Sequence, residues 1–272
     1  MSLPARVLIT PYLNNRTFVH HAAPPGARLE SCVPRLAVQE MLDGGALAGV
    51  VPVGGLARLA GCVDLLGRYG IACRGASRSV LLLSREPFAA LGSHTRLALS
   101  ADSMSSVRLL LMLLAARPGA SCLPRLVAPS ARPDAELVIG DVALRRAQRT
   151  GFAHVTDLAT QWFLTHGRPM VFARWVIRRD ADADARRRLE AWLADYARDE
   201  CALRDVTAAH DHARAGLGRS AARAYLDGIR CVLDADDLAG QAIYERELAR
   251  HAWLDELLAS PAQVPDATGA CS

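Results

Sequence analysis

Apolar residues fall into short runs separated by amphipathic stretches, and their order predicts alternating strands and helices. Residues 6–10 (RVLIT) form a β-branched run that stops at Pro11 and gives way to the polar turn Tyr12-Leu13-Asn14-Asn15-Arg16. Apolar positions at helical spacing over 36–42 end at Gly44-Gly45, and residues 48–53 (AGVVPV) read as a buried strand broken by Pro52. Strand, helix, strand is the signature of a parallel α/β layer.

Further strands are predicted at 79–84 (SVLLLS), 96–100 (RLALS), 137–139 and 171–177 (VFARWVI). Between the second and third of these, Asp102 or Ser103 is placed to cap a helix that runs through the apolar stretch 107–115 and stops at Pro118-Gly119. From residue 183 onward the period is helical: Leu189, Trp192, Leu193 and Tyr196 share one face, followed by helices over 222–226 and 238–257. Residues 261–272 read as a frayed tail.

With 272 residues, 51% of them hydrophobic and only 5% aromatic, the chain has enough Ala, Leu and Val for a sizeable α/β core. The net charge of +4 comes from Arg alone, since the sequence contains no Lys. Its densest basic run, Arg186-Arg187-Arg188, lies among acids and Ala at helical spacing, which reads as a solvated face rather than a nucleic-acid surface. Seven scattered Cys, without C-x-x-C or zinc spacing, predict buried free thiols in a reducing compartment. The first residues pass into a β-like run without a signal-type apolar segment, and no stretch has the length of a membrane span, so a cytoplasmic location is expected.

Candidate chemistry clusters where strands end. In 100–106 (SADSMSS), hydroxyls stand at a helix start, where free N–H groups and the helix dipole favour an anion; simple capping by one Ser explains the same letters. Asn14, Asn15 and Arg16 are able to hold a hydroxyl or carboxylate, or to brace a turn. Residues 75–79 (GASRS) enter a strand, and Gly140-Asp141 leave one, with Asp141 either capping a helix or facing a ligand. His210 and His212 stand in a polar stretch that reads as exposed, and neither a metal pattern nor a nucleotide or nucleophile motif is present, so no metal or cofactor is expected.

Taken in order, several segments resemble the chorismate dehydratase (MqnA-like) family of the futalosine menaquinone pathway. They are Tyr12-Leu13-Asn14 with Arg16, Gly49-Val50-Val51-Pro52-Val53, Arg78-Ser79-Val80, Ser105-Ser106-Val107, residues 139–144 (IGDVAL) and residues 169–175 (PMVFARW). Late in the chain Tyr225-Leu226, Ile229-Arg230 and Gly240 also fit. The resemblance implies a fold like the type II periplasmic binding proteins, two α/β lobes around a ligand cleft with a C-terminal helical region. The lobes are expected at 1–94 with 178–260, and at 95–177.

The implied reaction is cofactor-free loss of water from chorismate to give 3-[(1-carboxyvinyl)oxy]benzoate. Asn14 and Ser79 are then the expected catalytic residues, with Tyr12, Asn15, Arg16, Pro52, Arg78, Ser103, Ser105, Ser106, Gly140 and Asp141 binding substrate, Asp141 either lining the cleft or holding the loop. The partner is a small carboxylate, with no nucleic acid or membrane, and the chain a monomer or homodimer. Family members often carry Ser and Arg where this chain has Pro11 and Met104. A non-catalytic carboxylate binder, a paralogue dehydrating a chorismate relative, and the sister enzyme that cleaves a cyclic futalosine derivative are the alternatives.

Overall fold

The computed structural model describes residues 4–118, 122–148 and 151–259; the expected tail at 261–272 lies outside them, as does Gly119. The chain begins with strand β1 (Ala5–Ile9), a 3-10 turn at Leu13–Asn15, helix α1 (Arg16–His20), β2 (Ala27–Ser31), α2 (Pro34–Leu42), β3 (Ala48–Pro52) and β4 (Val63–Cys73). Next come β5 (Val80–Ser84), β6 (Arg96–Ala98), α3 (Ser105–Ala115), β7 (Arg125–Val127), β8 (Ala135–Ile139), α4 (Gly140–Gln148), β9 (His154–Asp157) and α5 (Leu158–His166). The remainder is β10 (Met170–Arg178), α6 (Ala183–His210), α7 (Arg219–Asp227), β11 (Arg230–Val232), α8 (Ala235–Arg250) and α9 (Trp253–Ala259).

Two sheets result. The first has the order β11-β4-β10-β3-β1-β2 and the second β7-β6-β8-β5-β9. Strands β1 and β3 are parallel, as the strand-helix-strand pattern predicted; β2, which was not predicted, adds a further parallel strand beside β1, and β10 runs antiparallel between β3 and β4. Every residue of β3 and of β5 is buried, which explains why their sequences are continuous apolar runs rather than alternating ones. The chain crosses to the second sheet in residues 74–79 and returns in 167–169. The expected lobe boundaries at 94/95 and 177/178 therefore do not follow the sheets: β5 pairs with β8 and β9 in the second, and β10 belongs to the first. A strand's own letters fix its burial but not its hydrogen-bonding neighbour.

Helix ends follow local chemistry. Asp157 caps α5 by accepting from Ala159 and Thr160 N–H at 3.0 and 3.1 Å, and Asp234 with Asp237 forms a reciprocal capping box on α8. The helix predicted over 238–257 is two helices, because α8 ends at Arg250 and α9 starts at Trp253. Helix α3 starts at Ser105 with Met104 in the cap position, one or two residues later than expected, although the Ser103 hydroxyl accepts the Ser106 N–H at 3.2 Å. Against the first sheet, α6 seats Trp192 and Tyr196 on Phe18 and Trp175, with the Phe18 and Tyr196 rings stacked at 3.9 Å. Of the Cys, Cys73 and Cys231 are buried free thiols as expected, whereas Cys62, Cys122 and Cys201 are exposed. Among the described residues no helix is long and apolar enough to cross a membrane.

Candidate functional site

Parallel strands end together, and the loops that leave them share one edge of the sheet. Here that edge faces the second sheet and encloses a cleft of about 650 Å³, its open mouth included. Thr10, Tyr12 and Asn14 reach it from the loop after β1, and Pro52 from the end of β3. Ser77 and Ser79 enter from the first crossing, Ser103 to Ser106 from the start of α3, and Gly140 from the β8–α4 junction. The two sheets thus supply opposite walls.

Not all of the hydroxyls are free. Ser105 accepts the Gly54 N–H and donates to the Phe172 carbonyl, each at 3.0 Å, so its one proton is committed to a clasp between the helix start and the first sheet. Ser105 lines the cleft, but as it stands its hydroxyl offers no proton to a substrate carboxylate. Ser103 accepts the Ser106 N–H at 3.2 Å and keeps its proton; among the described residues Ser106 Oγ and the Asn14 amide make no hydrogen bond. Ser79 accepts from Tyr225 Oη at 3.1 Å and donates to the Ser77 carbonyl in a long bond of 3.4 Å, which a ligand must compete with to take its proton. Tyr12 Oη is buried without a partner among the described residues. Burial, then the charges of Asp102 and Asp141, hold its proton in place by pushing the phenol up. The free donors therefore come from both walls.

Four of the expected site residues are not on the cleft wall. Asn15 turns inward and donates to Thr10 Oγ1 at 2.5 Å. Arg16 faces away, its Nε donating to Asp211 Oδ1 at 3.0 Å beside His20 on the other oxygen. Arg78 is exposed at φ 59°, a strained left-handed backbone for a residue with a Cβ, and its N–H donates to Asp157 at 2.6 Å. That kink sets Ser77 and Ser79 on the cleft side, so Arg78 acts through its backbone. Asp141 accepts the Leu13 N–H at 2.8 Å, which places it behind the Tyr12–Asn14 loop rather than against a ligand.

Other wall residues gave no readable signal. Ile71, Cys73 and Ile229 look like core positions in sequence, and Pro34 looks only like a helix start, because an apolar wall and a buried core demand the same side chains. Asp157, which holds Ser77 by both N–H and Oγ at 3.1 Å, was invisible because its partner lies eighty residues away. Among the described residues, no carboxylate, imidazole or guanidinium lines the cleft. Burial pushes the Cys73 thiol up, so it stays protonated.

Two α/β sheets joined by two crossings, with a cleft between them, define a two-lobed protein of the periplasmic-binding-protein fold. Solved structures with the same architecture include protein AF1704 from Archaeoglobus fulgidus, 14% identical over 91% of this chain and 97% of that one, with a TM-score of 0.66. The periplasmic aliphatic sulphonate binding protein SsuA from Escherichia coli is 16% identical, covering 97% and 96%, with a TM-score of 0.61. The Candida albicans CA3427 gene product, described as having the generic periplasmic binding protein fold, is 10% identical over 97% and 93%, with a TM-score of 0.56. Within that architecture the chain belongs to the menaquinone biosynthesis family, whose model matches residues 5–250.

Proposed function

We propose that the chain is a chorismate dehydratase-like lyase that eliminates water from chorismate without a cofactor. The observation that carries this reading is the convergence of Asn14, Ser79, Ser103 and Ser106 from both walls on one cleft without an ionic side chain, in a menaquinone biosynthesis family member. Elimination breaks the ring C–H bond beside the enol ether and the C–O bond of the ring hydroxyl, and forms the double bond that completes the aromatic ring. The intermediate carbanion is conjugated with the ring carboxylate, so donors fixed on that carboxylate stabilise charge as it develops.

Ser106, Ser103 and the α3 N-terminus take that role in this reading, and Asn14 takes the departing hydroxyl or the second carboxylate, joined by Ser79 where substrate displaces its 3.4 Å bond to the Ser77 carbonyl. A base active near neutral pH is absent from the described wall, since the Tyr12 phenol and the Cys73 thiol are both pushed up by burial. The enolpyruvyl carboxylate of the substrate itself then takes the proton, and the protein contributes position rather than proton transfer.

Pro11 lies outside the cleft, in a hollow with Asp141, Arg145 and Arg214, so substrate identity turns on Met104, which does line the wall. The test is incubation with chorismate, following its absorbance and the mass of the aromatic enolpyruvyl ether. Tight binding without turnover favours the second reading, a carboxylate binder, which the same base-free wall supports. Turnover of a relative but not of chorismate assigns the cleft to that relative.

A further inference from the structure

A second cavity lies on the far side of the Ser103–Met104 segment. It measures about 1070 Å³ with its open mouth included, and it shares Ser103 and Met104 with the cleft as a common wall. The wall is fixed by a 3.1 Å bond from the Arg35 N–H to the Asp102 carbonyl; Pro34 faces the cleft and Arg35 the second cavity.

Its electrostatics are opposite in kind. Where the cleft wall carries no ionic side chain, this cavity is lined by Arg35 and Arg58 from the first lobe, Arg108 from α3, and Asp255 from α9. Arg108 is 9% exposed and donates to Asp255 Oδ1 at 2.5 Å, which uses the only carboxylate on the wall among the described residues. Arg35 and Arg58 have no side-chain partner among the described residues, in a chain where guanidiniums are commonly paired with Asp or Glu. Three guanidiniums against one carboxylate leave an excess of two positive charges in a concave site, where low-dielectric walls focus the field.

We propose that this cavity is a second binding site, distinct from the cleft, for a small multiply charged oxyanion such as a phosphate or a polycarboxylate. Guanidiniums present paired N–H groups that match either kind of oxygen cluster. The ligand bridges the lobes, because Arg35 and Arg58 lie before the first crossing and Arg108 after it. It also sits one residue layer from the cleft, so occupancy holds Ser103 and Met104 in place.

The test is calorimetric titration of the full chain with inorganic phosphate and, separately, with citrate at low salt, comparing the parent with the Arg35→Gln/Arg58→Gln double variant. Both positions are exposed, so folding is expected to be retained and is checked by circular dichroism. One saturable site for either anion, weakened at least tenfold in the double variant and weakened by added sodium chloride, is the expected result. The tighter of the two anions identifies the ligand class. Absence of saturable binding by both anions, or equal affinity in parent and double variant, overturns the proposal. Loss of binding in Ser106→Ala with retention in the Arg double variant overturns it too, by placing the anion in the cleft. None of these readouts uses chorismate turnover, so a failed dehydratase assay leaves them intact.

Discussion

The Asp141 carboxylate accepts the Leu13 backbone N–H at 2.8 Å, joining the first turn of α4 in the second lobe to the loop after β1 in the first. Leu13 lies between Tyr12 and Asn14, both on the cleft wall. One bond between the lobes thereby fixes the loop that carries two of the proposed substrate contacts.

Asp141→Ala leaves the buried Leu13 N–H unpaired and is expected to cost about 1–3 kcal/mol in denaturant unfolding. Asp141→Asn keeps an acceptor oxygen and sheds a buried charge. Burial is the main cause that raises the Asp141 carboxyl above its ordinary 3.8, outweighing the Leu13 N–H and the nearby Arg145 and Arg214. A raised folded pKa means that the folded chain holds this proton where the unfolded chain releases it. The stability contribution is thus complete below about pH 4 and is lost as pH rises through the folded value. Asp141→Asn should therefore match or exceed the parent at pH 7, and its advantage should vanish in acid. An Asn variant as unstable as the Ala variant would refute this account.

Gly140 precedes that carboxylate at φ 59°, and a Cβ there would lie 2.4 Å from Tyr12 Cδ1. Gly140→Ala meets both the left-handed backbone penalty, about 1–2 kcal/mol, and a clash with the Tyr12 ring. A loss of at least about 2 kcal/mol is expected, with a shift in Tyr12 fluorescence or ring resonances. Gly151→Ala, where nothing lies within 4 Å and φ is ordinary, is the neutral control.

Two of the three parallel strands of the first sheet were legible in sequence, because β1 and β3 are apolar runs flanking a helix with regular spacing; β2, the half-exposed edge strand Ala27–Ser31, was not. Nor was β4, although at eleven residues it is the longest strand among the described residues and lies inside the sheet between β11 and β10. Its eleven residues include Gly67 and Gly70, and register shifts against β10 and β11 break the two-residue period that reveals a strand. The site divides similarly. Asn14, Ser79 and the Ser103–Ser106 turn were readable because polar residues directly after or before an apolar run have few core roles. The commitment of Ser105 to Gly54 and Phe172 was not readable, since it depends on two segments that meet only in the folded chain.

Arg174 compensates for the irregularity of β4. It is 3% exposed and donates to the Tyr69 carbonyl at 3.2 Å, the Gly67 carbonyl at 2.8 Å and Gln241 Oε1 at 2.8 Å, stitching the bulged strand to α8. Arg174→Met removes all three donors and is expected to cost about 2–4 kcal/mol. Arg174→Lys recovers only part of this, because an ammonium lacks the planar fork that reaches three acceptors at once. Equal stability of the Lys variant and the parent would show that charge rather than geometry is what matters.

Two adjacent serines offer a test that separates a structural role from the proposed catalytic one. Ser105→Ala removes the acceptor of the Gly54 N–H and the donor to Phe172, so about 1–3 kcal/mol of stability should be lost, with turnover falling as the α3 start loosens. Ser106→Ala removes a hydroxyl without a protein partner among the described residues, so unfolding free energy should stay within about 0.5 kcal/mol of the parent. Under the proposed function its cost is expected instead in chorismate turnover. A donor held on a carboxylate that gains charge in the transition state is worth about 1.5–3 kcal/mol, which corresponds to a fall of roughly 10- to 150-fold in kcat/KM. If that donor acts on the developing charge, the fall is in kcat; if it only holds the ground-state carboxylate, KM rises and kcat is kept. Asn14→Ala, whose amide is equally free, should show the same separation of stability from turnover. A Ser106→Ala variant that loses stability but keeps kcat/KM would reverse the assignment and make Ser106, like Ser105, part of the clasp.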